Sequence, residues 1–271
     1  MHRLASHPVA PCFATYRLFW PILAALWAIF AVQGDVLARN LPYSVTGVVA
    51  HDPRAFTQGL LMADGHLYES TGLTGRSSLR KLDPSSGAVL ARRDLPASLF
   101  GEGLALHAGT LYQLTWTSGV VLLYDFASLT PKGQLPLETE GWGIASTPMG
   151  LVTSDGSATL TWRDPASFRP VRTLTVRDGD RPVERLNELE WVDGLILANV
   201  WHEDRIAVIA PSTGRVAAWI DCSGLRARLG PLPPDADLNG IAWDGAAKRL
   251  YVTGKLWPAL FQLSLEGLPT P

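Results

Sequence analysis

The chain has 271 residues, 23 Lys and Arg against 25 Asp and Glu, a formal charge of −2 and two cysteines. A balance this close to neutral, without a basic run able to neutralise many phosphates, excludes a nucleic-acid partner. Cys12 falls in a leader segment, so Cys222 stands alone in the remainder. An internal disulfide is ruled out there, and the thiol reads as a packed small hydrophobe.

In the first 38 residues Arg3 and Arg17 precede an apolar run, Leu18 to Val32, and Val36-Leu-Ala38 offers small residues for cleavage. The run is shorter than the roughly 20 residues a spanning helix needs. Residues 1–38 therefore read as a secretory signal peptide, with a mature chain starting near Arg39 that is periplasmic or secreted, without stable membrane association. A retained anchor is the alternative.

Beyond the leader one pattern recurs: Phe56-Thr-Gln-Gly-Leu60, Phe100-Gly-Glu-Gly-Leu104, Gly141-Trp-Gly-Ile144, Leu186-Asn-Glu-Leu189 and Leu238-Asn-Gly-Ile241. Intervals of about 40 to 50 residues are those of stacked four-stranded blades. A second strand follows each mark, ending on Gly72, Trp116, Asp155, Trp201 and Lys255. Third strands are visible at Leu79–Leu82, Val120–Tyr124, Ala158–Trp162, Ile206–Ile209 and Leu260–Leu263, mostly followed by turns such as Asp83-Pro-Ser-Ser-Gly87 and a fourth apolar segment. The fifth unit lacks a fourth strand, while Tyr43–Ala50 is a strand without a unit. Pairing the two removes an exposed edge. The expectation is all-β: a single five-bladed propeller over residues 39–271, with four-stranded blades and the last closed by the N-terminal strand. Between Cys222 and Leu238 a short helix near Leu225–Leu229 and a Pro-rich turn are expected, either over a functional face or as a surface excursion.

If the repeat holds, the second-strand ends share one rim with the first-strand residues Gln58, Glu102, Trp142 and Asn187. Phe56 and Phe100, two residues before Gln58 and Glu102, fall on the same strand face. This constellation offers one carboxylate, one cation, two amides and several aromatic faces. The competing structural reading has the polar residues bonding backbone around a channel and the tryptophans wedged between blades. No phosphate loop, nucleophile elbow or His-Glu-x-x-His pair occurs. His51, His66, His107 and His202 fall at turns or strand starts without ligand spacing and read as solvated loop residues, so neither metal nor cofactor is expected.

Phe56-Thr-Gln-Gly-Leu, Glu69-Ser-Thr-Gly-Leu-Thr-Gly-Arg-Ser-Ser-Leu-Arg80, Phe100-Gly-Glu-Gly-Leu, Leu114-Thr-Trp116, Leu186-Asn-Glu-Leu-Glu-Trp191, Ala198-Asn-Val-Trp201 and Leu238-Asn-Gly-Ile-Ala-Trp-Asp244 occur together and in order. Across essentially the whole mature chain the sequence resembles the plant-type glutaminyl cyclases also found in bacteria. These are five-bladed propellers unrelated to the zinc-dependent animal cyclases. The resemblance implies a monomeric, metal-independent transferase that converts the N-terminal glutamine of peptides or proteins to pyroglutamate with release of ammonia. It also implies roles: Glu102 as proton shuttle, Lys255 as positive charge, Gln58 and Asn187 on the substrate's amide or backbone, and Phe56, Phe100, Trp116, Trp142 and Trp201 as a cage. Aromatic walls raise the pKa of Glu102 and Lys255 lowers it, and the sequence leaves that contest open. Two other classes compete. A lactonase-like propeller would hold a divalent cation on Glu102, Asn187 and Asn239, against which Lys255 argues. A non-catalytic peptide-binding propeller would need the cage but not Glu102.

Overall fold

The computed structural model describes residues 38–271. The predicted leader and Cys12 lie outside them, apart from Ala38.

Five antiparallel sheets make up the blades. Their innermost strands are Thr57–Ala63, Gly101–His107, Ile144–Thr147, Leu186–Val192 and Leu238–Asp244, numbering blades one to five. Each lies against the next, and that of blade five lies against that of blade one, so the ring closes. The closure predicted from the orphan strand is observed: Tyr43–Ala50 pairs with Ala259–Leu265 at the outer edge of blade five. Blade four departs from the expected four strands. Arg39–Asn40 adds a fifth, parallel to Val216–Asp221, because the chain crosses that edge before it reaches blade five. A small hairpin, Arg177–Asp178 with Arg181–Pro182, was also not anticipated. The helix of the long connection is only four residues, Ser223–Arg226.

The core is divided into five wedges, one in each gap between neighbouring blades. Adjacent residues on a strand point to opposite faces, so both faces of every blade are buried, which explains apolar runs without alternation. In blade one Leu60 packs toward blade five and Leu61 toward blade two. Burying such a leucine is worth about 2 kcal/mol. Cys222 is free and buried in the wedge between blades four and five, as a small hydrophobe would be.

Near the channel the backbones crowd. A Cβ on Gly59 would stand 2.4 Å from Leu104 N, and one on Gly143 would stand 1.9 Å from Asn187 O. Only glycine permits that approach. In blades one, two, four and five the innermost strand is bulged at its start, between Thr57 and Gly59, Gly101 and Leu104, Leu186 and Leu189, and Leu238 and Ile241. Bulges re-aim side chains. Here they carry Gln58, Glu102, Asn187 and Asn239.

One expectation about the histidines is overturned. His51 is buried: its Nδ1 lies 2.8 Å from Trp257 O and its Nε2 lies 2.9 Å from Glu69 Oε1. Glu69, itself without exposure, also accepts from Thr57 Oγ1 at 2.7 Å and has Arg80 Nη1 at 3.6 Å. Burial opposes the charged form of both groups, but their mutual attraction prevails, holding the imidazole pKa above and the carboxyl below their ordinary values. The pair seals the gap between blades five and one. A buried carboxylate recruits a cationic partner wherever one is in reach.

Candidate active site

At the rim formed by the starts of the innermost strands and the ends of the second strands lies a cavity of about 250 Å³. Its walls are Phe56, Gln58, Phe100, Glu102, Trp116, Trp142, Asn187, Trp201 and Lys255, so the structure brings together all nine residues singled out in the sequence. Asp155, the blade-three counterpart of the second-strand ends, is not among them. Its carboxylate accepts from the N–H and hydroxyl of Ser157 and shapes a turn. Blade three instead contributes Trp142, from the segment just before its innermost strand.

Glu102 occupies the cavity floor with 5 % exposure. Its Oε1 accepts a hydrogen bond from Gln58 Nε2 at 2.9 Å. Gln58 is oriented in turn by Asn239, whose Nδ2 donates to Gln58 Oε1 and to Thr57 O, both at 3.0 Å. This relay fixes which end of the Gln58 amide faces the carboxyl. Among the described residues no group of three or more His, Cys, Asp or Glu side chains is arranged to hold a metal ion. Asn187 Oδ1 is buried at the cavity wall without a hydrogen-bond partner, an acceptor left for a donor from outside.

The aromatic walls are tied in place by two carboxylates that sequence reasoning missed. Trp116 and Trp142 both donate their indole N–H to Glu140 Oε2, at 2.8 and 2.9 Å. Trp201 donates to Asp237 Oδ2 at 2.9 Å, and the backbone N–H of Lys255 donates to Asp237 O at 2.9 Å. Asp237 belongs to the long connection before blade five, which therefore buttresses the site. The only available signal for Glu140 was its position two residues before Trp142. Ring edges meet ring faces around the pocket, with centroids 6.1 Å apart for Phe56 and Phe100, 5.7 Å for Phe100 and Trp116, and 5.5 Å for Trp142 and Trp201. Lys255 Nζ lies 5.1 Å from the Phe56 ring centre and 5.9 Å from that of Trp201, a cation held by aromatic faces.

The contest over Glu102 is decided by burial, which pushes its carboxyl well above the ordinary range. Lys255 pulls it down and Glu140 adds to the rise. Burial likewise lowers the Lys255 ammonium, against the opposing pull of Glu102. The site thus holds a carboxyl whose raised pKa suits it both to take and to return a proton. Removing the lysine charge in Lys255→Met should raise the Glu102 pKa further and move the acid limb of kcat/KM to higher pH. Glu140→Gln should move it lower. Each is read against the parent protein with the same substrate, whose own titration cancels. Unmoved limbs would mean that Glu102 does not control them.

Comparison with known proteins agrees with this geometry. The sequence model of the glutamine cyclotransferase family matches residues 22–265. A glutaminyl-peptide cyclotransferase from Arabidopsis thaliana is 42 % identical over 237 residues, covering 86 % of this chain and 74 % of that protein. The crystal structure of Myxococcus xanthus glutaminyl cyclase is 37 % identical and superimposes with a TM-score of 0.80, covering 85 % of this chain and 99 % of that one. Repeat, fold and sequence agree, and the chain belongs to the glutamine cyclotransferase family.

Proposed function

We propose that the protein is a glutaminyl-peptide cyclotransferase that closes the N-terminal glutamine of a peptide or protein into pyroglutamate. The observation that carries this reading is the floor of the cavity: a single buried carboxyl with a raised pKa, bonded to an amide and enclosed by indole and phenyl faces in a space suited to one side chain.

In the reaction the free α-amine attacks the γ-carboxamide carbon of its own residue. A C–N bond forms, the amine loses a proton to Glu102, and the tetrahedral carbon expels its amide nitrogen as that nitrogen receives the proton from Glu102. Ammonia leaves and the ring remains. Because both ends belong to one side chain, the cage contributes mainly by holding it curled, and well-oriented intramolecular attack reaches effective molarities of about 10⁵ M or more. Lys255 discourages a second positive charge beside it, which favours the uncharged, nucleophilic amine. It also offers charge to the developing oxyanion. Asn187 Oδ1 suits an N–H of the substrate.

The donor set of the pocket supports turnover without a metal. Ammonia release from a glutamine-initiated peptide should persist after exhaustive chelation, and the N-acetylated peptide, which has no free amine, should be inert. Reaction of the acetylated peptide, or activity lost to the chelator and restored by a divalent cation, would contradict the mechanism. The reading extends to an exported monomer acting on peptides, export resting on the signal peptide read from the sequence of residues 1–38. The N-terminal mass and the hydrodynamic size of the exported chain measure those two points.

A further inference from the structure

A second cleft, of about 330 Å³, opens on the same rim, in blade one. Its charged walls are Asp52, Arg54, Arg76, Arg80, Arg92 and Asp94. Strand register explains why it faces the same way as the aromatic cavity. Thr71 ends the second strand opposite Ser78, which begins the third, and Ser78 is opposite Asp94, which ends the fourth. The two cavities share a wall at Gly72. That residue lines the cleft, and a Cβ on it would stand 2.3 Å from the Phe100 ring and 3.1 Å from Gln58 Cγ. The ridge between them therefore carries no side chain.

Four guanidinium groups against two carboxylates leave the cleft positive. Asp52 is taken up by Arg54 Nε and Arg80 Nη1, each at 3.2 Å, and Asp94 by Arg92 Nε at 2.6 Å. Arg80 is almost fully buried and also backed by Glu69. Arg76 is exposed and has no ion-pair partner among the described residues. Its guanidinium is among the groups lining the cleft, and its planar fork of donors suits a carboxylate.

We propose that this cleft is a subsite for the substrate chain beyond its N-terminal glutamine and selects a carboxylate there, with Arg76 as the principal contact. The inference rests on the cyclotransferase reading, since it takes the glutamine to occupy the aromatic cavity. The carboxylate can come from an acidic side chain or from the C-terminus of a short peptide. The test compares kcat/KM for C-terminally amidated peptides carrying Glu or Gln at the second, third or fourth position. A further arm uses the Gln peptides with a free C-terminus. At one or more positions the carboxylate-bearing peptide should be favoured about three- to tenfold. The arm that shows the preference identifies the source. The preference should shrink as salt rises from about 0.02 to about 0.5 M, and Arg76→Glu should invert it. Equal rates for all peptides, or a preference untouched by Arg76→Glu, would overturn the subsite while leaving the cyclotransferase reading intact. If no glutamine peptide is cyclised, that reading fails instead. Calorimetric affinities of the same peptides for Glu102→Gln protein then decide the subsite: a carboxylate preference supports it and equal affinities overturn it.

Discussion

Glu102→Gln should lose about 10³- to 10⁴-fold in the rate of ammonia release while remaining folded and still binding a glutamine-initiated peptide. The size follows from one group holding two roles: general acid and general base assistance are each worth about 10²- to 10⁴-fold, and an amide can neither accept nor return the proton. The fold should be spared because, among the described residues, the carboxyl's one hydrogen bond is the one it accepts from Gln58 Nε2, and a glutamine oxygen can accept the same bond. Replacing a buried ionisable group by its neutral isostere also removes no packing. Steady-state ammonia release beside calorimetric peptide binding separates the two effects. A variant keeping more than about a tenth of the parent rate would place the proton transfer elsewhere.

The largest expected effect on stability comes from Glu188, one residue after Asn187. It has no exposure, and its carboxyl spans three blades: Oε1 accepts from Leu60 N in blade one at 3.2 Å, and Oε2 from Ile241 N in blade five at 2.9 Å. Innermost strands have no further strand beside them, so their inward N–H groups need such a partner. Glu188→Leu would orphan two buried donors at about 1–3 kcal/mol each, about 2–6 kcal/mol together. That is a large share of the total stability of about 5–15 kcal/mol expected of a domain. Glu188→Gln keeps one acceptor and should cost about half as much. Urea unfolding at constant slope reads both, and a Leu variant within about 0.5 kcal/mol of the parent would show that water satisfies those donors.

The same residue predicts a pH dependence. Burial, with Glu190 nearby, holds the Glu188 carboxyl well above its ordinary value, and burial pushes Glu190 to about 8. The folded state therefore keeps protons that the unfolded state releases. Their contribution is fully present below about 4.5 and is lost as pH rises through the folded-state values. Glu188→Gln should flatten that decline.

What was legible in the sequence was whatever the repeat writes locally. Five returns of one strand-start motif fixed the blade count, the unpaired Tyr43–Ala50 strand announced the closure, and equivalence of strand ends put Trp116, Trp201 and Lys255 on one rim with Gln58 and Glu102. These follow from periodicity and from the need to cover sheet edges, which neighbouring residues encode by themselves. Contacts between residues far apart in the chain carry no such mark. Only the tertiary structure joined Glu140 to two indoles, Asp237 to a third and Asn239 to Gln58, drew His51 from an expected surface turn into a buried pair with Glu69, and left Asp155 outside the cavity. It also decided the contest at Glu102, because a pKa is set by the balance of desolvation and charge over all surrounding atoms, and that balance exists only once the blades have closed around the carboxyl.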